Sequence, residues 1–234
     1  MNTEYEFEPS FTLMTAYLEP GESIKVEPGA MVAQSNGLEM KTGMSGGGGL
    51  GGFLKSMAKS ALGGESFWLN TFTAGDNGGW ISMAPSAPGD IKTFDIEPGQ
   101  NLFMQGGSFM ACSNNVQYDT KFQGAKSLFS KEGSFFLRAF SEEGNGKVFY
   151  CSYGAIKEYD ISPSKPMKVD NGHLVAFTEG VSYGIAASGG MKSTMFGGEG
   201  LVLQLTGEGK VWIQTRNIES LADRLIPFLP QPSQ

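Results

Sequence analysis

One pattern of residues returns three times along this chain, and no other feature limits its fold as tightly. The stretch Leu18-Glu19-Pro20-Gly21 through Gly29-Ala30-Met31-Val32-Ala33 recurs as Ile96-Glu97-Pro98-Gly99 through Gly107-Ser108-Phe109-Met110-Ala111. It recurs again as Ile161-Ser162-Pro163-Ser164 through Gly172-His173-Leu174-Val175-Ala176. The same offsets lay Ile24 on Leu102 and Met167, Val26 on Met104 and Val169, and Leu38 on Val116 and Val181. Apolar and turn positions persist while exposed positions drift, which marks a structural unit repeated in tandem. Units of about 65–80 residues bury little apolar surface alone, so these are expected to pack on one another, within the chain and between chains.

Each copy opens on a corner (Glu19-Pro20-Gly21, Glu97-Pro98-Gly99, Ser162-Pro163-Ser164) and then alternates apolar with polar residues, as in Ile24-Lys25-Val26-Glu27. That period turns one face of a strand inward. A second corner carries Gly29, Gly107 and Gly172, where positive φ would exclude a Cβ. Further on, Ser66–Phe72, Ser134–Phe140 and Leu201–Leu205 each run through a Gly-rich turn into Trp80-Ile81, Val148-Phe149-Tyr150 and Val211-Trp212-Ile213. Gly-x-Gly and Asn-Gly between such runs predict a β-hairpin in each copy. With six to eight short strands per copy and 34 Gly and 11 Pro overall, the fold class is all-β.

Linking strands at 89–95 and 154–160 lead from copy to copy. The boundaries fall at residues 1–95, with a Gly-rich insertion at 43–64, then 96–160 and 161–217, with a helix and tail at 218–234. Asn217 can cap that helix, the apolar residues Ile218, Leu221, Ala222, Leu225 and Ile226 recur at helical spacing, and Pro227 ends it. Docking of the apolar stripe on the sheet is expected; a helix that binds a partner is the alternative.

The net charge of −7 repels polyphosphate backbones and disfavours nucleic acid as a partner. Cys112 and Cys151 sit in apolar strand contexts and outside any C-x-x-C. They read as two buried free thiols of a cytoplasmic protein, or as a redox pair on neighbouring strands. The acidic start Met1–Glu8 lacks the apolar core of a signal peptide, and no run approaches the roughly 20 apolar residues of a spanning helix. A soluble, cytoplasmic protein is the expectation.

The copies differ most in the loop between their halves. Gly43–Gly52 followed by Phe53–Leu62, then Gly124–Gly133, then Gly189–Gly198 all combine glycines with a Lys-Ser step and an apolar residue. Recurrent loops on one face of an array form a reasonable binding surface, which gives a candidate interaction set of Phe53, Leu54, Lys55, Met57, Lys59, Lys126, Phe129, Lys192 and Phe196. Gly47, Gly49 and Gly52 satisfy G-x-G-x-x-G, but in a run this rich in glycine the match is nearly automatic and no βαβ unit surrounds it. A P-loop fails because Phe53 and Leu54 separate Gly52 from Lys55-Ser56. Residues 53–62 have the periodicity of a short amphipathic helix, either covering a sheet edge or oligomer contact or touching anionic lipid through Lys55 and Lys59.

Catalytic parts are scarce. His173 is the sole histidine and takes a turn position held by Ala30 and Ser108 in the other copies, so it reads as a solvated turn residue. Metal-holding β-helix enzymes use two or more histidines with a carboxylate, and there is no plausible Ser-His-Asp set. No catalytic, cofactor-binding or metal-binding residue is assigned, and a non-enzymatic protein is expected.

The E-P-G corners, the V-x-x-G-x-[LMFV]-V-A strands, the segment Gly63–Phe72 behind a glycine loop and the closing Ile213-Gln214-Thr215-Arg216-Asn217 together resemble a known family over residues 10–217. It is the altered-inheritance-of-mitochondria family, within the superfamily of the tryptophan RNA-binding attenuation protein (TRAP-like). The resemblance implies three tandem TRAP-like double-stranded β-helix modules per chain, and a homotrimer in which three chains close a ring of nine modules. It implies a scaffold or binding module acting on a partner protein or an anionic membrane surface. A small-molecule-binding ring with pockets at the module junctions is the alternative.

Overall fold

The computed structural model describes residues 1–44, 68–119, 136–186 and 202–230. The first copy holds β1 (Asn2–Glu6), β2 (Leu13–Leu18), β3 (Ser23–Val26), β4 (Met31–Gln34), β5 (Leu38–Met44), β6 (Trp68–Ala74) and β7 (Gly79–Met83). The second holds β8 (Ile91–Ile96), β9 (Asn101–Gln105), β10 (Phe109–Ser113), β11 (Val116–Asp119), β12 (Phe136–Ser141) and β13 (Gly146–Cys151). The third holds β14 (Ile156–Ile161), β15 (Met167–Asp170), β16 (Leu174–Thr178), β17 (Val181–Ile185), β18 (Val202–Gly207) and β19 (Gly209–Gln214), followed by the helix α1 (Ile218–Leu225).

One antiparallel pairing scheme serves all three copies. The orders β2-β7-β4, β8-β13-β10 and β14-β19-β16 form one half-sheet of each, and β5-β6-β3, β11-β12-β9 and β17-β18-β15 form the other. The linking strands pair forward, β8 with β13 and β14 with β19, so each is hydrogen-bonded into the copy that follows it. Neighbouring copies share sheets. Pairing of β3 with β10 (Val26 opposite Ala111) and of β9 with β16 (Met104 opposite Ala176) fuses half-sheets into two six-stranded sheets. At the ends of the array, β4 and β15 each keep one edge without a strand partner among the described residues.

Two local expectations are corrected. The Gly-rich turns between β6 and β7, β12 and β13, and β18 and β19 do not close hairpins: the strands on either side of each turn lie in different sheets. Both edges of β6 are occupied by β5 and β3, so the chain must cross to the facing sheet, and the glycines serve that corner. The antiparallel neighbours are instead the strands flanking the variable loops, with Met44 opposite Trp68 and Asp119 opposite Arg138. Among the second-corner glycines, Gly29 has φ of +91°, but Gly107 and Gly172 lie in 3-10 turns, Gly106–Ser108 and Asn171–His173, where positive φ is not required.

The cores straddle the junctions, as units too small to stand alone require. Met110, Ala111, Phe149 and Cys151 of the second copy join the first copy's Met14, Ile24, Phe72 and Ile81 in one cluster. Phe103 and Phe136 of the second copy enter the third copy's cluster, where Phe177 stacks on Phe103 at 5.3 Å and meets Phe136 edge-on at 5.2 Å. Each large apolar side chain so buried contributes about 1.5–3 kcal/mol, which ties the copies into one cooperative body.

The terminal helix forms where its residues predict. The Asn217 side chain accepts from the backbone N–H of Glu219 at 2.8 Å and of Ser220 at 3.4 Å. Its expected docking on the sheet is not observed: α1 contains no buried residue, and Ile218, Leu225 and Ile226 remain exposed. Only Leu221 is half-buried, sharing a cleft with Tyr153 and His173.

Candidate functional site

Among the described residues, the surface that departs most from the repeat is the free edge of β4. Met31 is 41% and Val32 57% exposed, whereas their counterparts Phe109, Met110, Leu174 and Val175 are at most 1% exposed. The difference is not chemical, since all six are large and apolar. It arises because β10 lies on β3 and β16 lies on β9, while β4 has no β3-like strand beside it. The complementary edge is β15, where Val169 faces the core and Lys168 is exposed.

A second feature is a cavity of about 300 Å³ at the junction of the second and third copies, lined in part by Gln105, Ser108, Cys151, Asn171, Gln214 and Asn217. Its amides are held in place. Gln105 Nε2 donates to the Asn171 carbonyl at 3.0 Å and to Asn171 Oδ1 at 3.1 Å, and Gln214 Nε2 donates to the Gly172 carbonyl at 2.9 Å. Gln214 Oε1 accepts from Tyr153 N–H at 2.9 Å, and Asp170 Oδ1 accepts from Gly172 N–H at 2.8 Å. A cavity of this size that combines apolar lining, including Ala87, Leu174 and Ile218, with a few fixed polar groups has the make-up of a small-molecule site.

At the first junction the position of Gln105 is held by Glu27, whose backbone N–H donates to the Met110 carbonyl at 2.8 Å. Burial pushes the Glu27 carboxyl up to about 7, because an ionised carboxylate is poorly solvated there. Burial also pushes the thiols of Cys112 and Cys151 up to about 12, the charge of Glu27 adding to the effect on Cys151. Such thiols are inert. They belong to different core clusters, Cys112 packing with Leu102 and Val148 and Cys151 with Met14 and Ile91, and both are free. Of the two readings of the cysteines, buried free thiols is the one the structure bears out.

His173 lies in the predicted turn but is half-buried rather than solvated, with Nδ1 at 2.8 Å from the Gln214 carbonyl oxygen. Among the described residues no group of three or more His, Cys, Asp or Glu is placed to hold a metal ion. None of their helices is long and apolar enough to cross a membrane.

A family model described as mitochondrial biogenesis AIM24 matches residues 4–216. The chain belongs to the AIM24 family. An uncharacterised protein of Streptococcus pyogenes serotype M6 is 31% identical over 225 residues, spanning 95% of this chain and 89% of that relative. A crystal structure of a Streptococcus pyogenes protein matches with a TM-score of 0.75 at 25% identity, covering 97% of this chain and 99% of that one. The all-β architecture is therefore shared with that solved structure over nearly the whole chain.

The predicted interaction set of Phe53, Leu54, Lys55, Met57, Lys59, Lys126, Phe129, Lys192 and Phe196, and the amphipathic segment 53–62, lie outside the described residues. What the AIM24 fold does bring together is the flanking strand ends: 45–67, 120–135 and 187–201 each join the equivalent pair of adjacent strands, β5–β6, β11–β12 and β17–β18. Sequence reasoning missed the junction amides Gln105, Asn171 and Gln214, because they are far apart in the chain and match no motif. It also missed Glu27, although the offsets that align Gly29 with Gly107 would have placed it opposite Gln105.

Proposed function

We propose that this chain joins head to tail with further copies of itself into a closed ring of three chains and nine modules, which works as a non-enzymatic scaffold or binding module. The observation that carries the reading is the bare β4 edge, whose equivalents are covered at both junctions within the chain. Each chain then offers one β4 edge and one β15 edge. A contact between two different edges, repeated about an axis, closes when the rotation permits and leaves neither the β4 nor the β15 edge unpaired. Carried over from the two internal junctions, the register sets Ala33 opposite Val169, Gln34 opposite Lys168 and Ser35 opposite Met167 of the neighbouring copy.

The expected native mass spectrum is that of three chains. Val32→Asp places a charge where the neighbouring copy should lie, and it should give monomers with unchanged circular dichroism. A wild-type monomer at micromolar concentration would overturn the reading.

The surface on which such a ring acts is assigned to the three variable segments of each chain, presented many times over to a partner protein or a membrane. Weak single contacts become effective through that multiplicity. Co-sedimentation with anionic vesicles, lost in Lys55→Glu/Lys59→Glu, is the expected result for the membrane. Failure of both proteins to sediment would leave the partner protein as the target.

The junction cavity supports a second reading, a ring that binds a small polar molecule. A ligand at a hundred times its dissociation constant adds about 2.7 kcal/mol of stability. A thermal-shift screen over amino acids and nucleotides should then show a clear rise for one class, and no rise for any would remove the reading.

A further inference from the structure

We propose that the C-terminal helix of one copy is clasped by the N-terminal bend of the next, sealing each of the three junctions of the ring at which the chain is interrupted. The inference rests on the ring reading and concerns a different surface from the strand edges.

Phe11-Thr12, Gly89-Asp90 and Gly154-Ala155 are the same position in successive copies, just ahead of β2, β8 and β14. These openings stack on one another: Thr12 N–H donates to the Gly89 carbonyl at 3.0 Å, and Asp90 N–H donates to the Gly154 carbonyl at 3.1 Å. At the second junction, residues 152–154 end one module and begin the next without a break, with Gly154 N–H donating to the Pro88 carbonyl at 2.9 Å. The end of the third module packs in the corresponding way: Arg216 N–H donates to the Tyr153 carbonyl at 3.2 Å, and a Cβ on Gly154 would meet Thr215 Oγ1 at 2.5 Å. At the third junction the two roles pass to different chains. Residues 215–217 end the module and run into α1, while the opening belongs to Phe11 and Thr12 of the second copy. The two segments converge on one place.

Both arrive with apolar side chains that their own subunit leaves uncovered. Phe7 is 67% and Phe11 72% exposed, and past Asn217 the exposed residues are Ile218, Leu225, Ile226, Leu229 and Phe228, the last at 85%. The bend is not a loose end. It is pinned by Phe11 N–H to the Phe7 carbonyl at 3.2 Å, by Lys92 to Glu8 at 2.9 Å and by the stack through Thr12, and it holds Phe7 at φ of +59°. A bulky residue rarely adopts that conformation, and strain of this kind persists where surrounding structure enforces it. Glu6, at the end of β1, adjoins the bend, and Arg216 and Arg224 have no carboxylate partner among the described residues. Two exposed apolar patches brought to one junction are the ingredients of an interface.

The test uses the full chain. Phe11→Cys/Ile218→Cys is treated with a short bis-maleimide; both natural thiols are buried and do not compete. Covalent dimers and trimers on a denaturing gel are expected, with none from either single variant. In parallel, Phe7→Ser/Phe11→Ser and Leu225→Ser/Phe228→Ser, at exposed sites that leave the fold intact, should each raise the concentration at which the ring dissociates by tenfold or more. Combining the pairs should add little to either alone. A wild-type ring that forms while the variants neither cross-link nor weaken it overturns the clasp and leaves the ring standing. A wild type that stays monomeric overturns both.

Discussion

Replacing Glu27 by Gln, the residue its counterpart Gln105 already is, should stabilise the protein in a pH-dependent way. A carboxyl moved from its ordinary 4.5 to about 7 has its charged form disfavoured by up to about 3 kcal/mol, at about 1.4 kcal/mol per tenfold. Glu27 is only half-buried, and the water that reaches it screens this to about 1–2 kcal/mol. Below pH 4.5 the group is protonated whether the chain is folded or unfolded, and it costs nothing. Between 4.5 and 7 the folded protein holds a proton that the unfolded chain has released, so wild-type stability falls as pH rises. Above 7 the carboxylate is ionised in both states and the whole penalty is present. Urea unfolding of wild type and Glu27→Gln at one fixed protein concentration should therefore coincide near pH 4, and the variant should lead by about 1–2 kcal/mol at pH 8. Other carboxyls titrate equally in both proteins and cancel in the difference. Two stability curves that stay parallel from pH 4 to 8 would refute the argument that burial disfavours this charge.

Gly89→Ala would set a Cβ at 1.7 Å from the Ser152 carbonyl oxygen, a backbone atom that cannot swing away, so a loss of about 2–3 kcal/mol is expected by denaturant unfolding. Gly43→Ala meets nothing within 4 Å and should stay within about 0.5 kcal/mol of wild type; equal losses at the two sites would contradict the close-approach account. Cys112 and Cys151 should resist a thiol reagent at pH 8 until the protein is unfolded, and then both should react. Rapid labelling of either in the folded protein would show that it is not the inert core residue described.

The periodicity of the sequence was enough to reach the tandem units, the strands on either side of each corner, and the capped helix at Ile218–Leu225. Those features depend on residues near one another in the chain: Pro and Gly at corners, apolar and polar residues in alternation, Asn ahead of a helical stripe. Which strands pair does not follow from such signals. The turns after β6, β12 and β18 have hairpin chemistry, yet they carry the chain across to another sheet, because the edges beside them are already filled by strands from elsewhere in the same copy.

The candidate site was less legible still. Glu27, Gln105, Asn171 and Gln214 acquire their roles only when one copy is laid against the next, and Val32 is conspicuous only beside the buried Met110 and Val175. Sequence by itself determined that this chain repeats one small β unit and ends in a helix, since local stereochemistry and burial pattern are written residue by residue. The tertiary structure decided which edges are shared between units and which are left open, because hydrogen-bonding between strands distant in the chain is settled by competition for edges, and no single segment encodes that outcome.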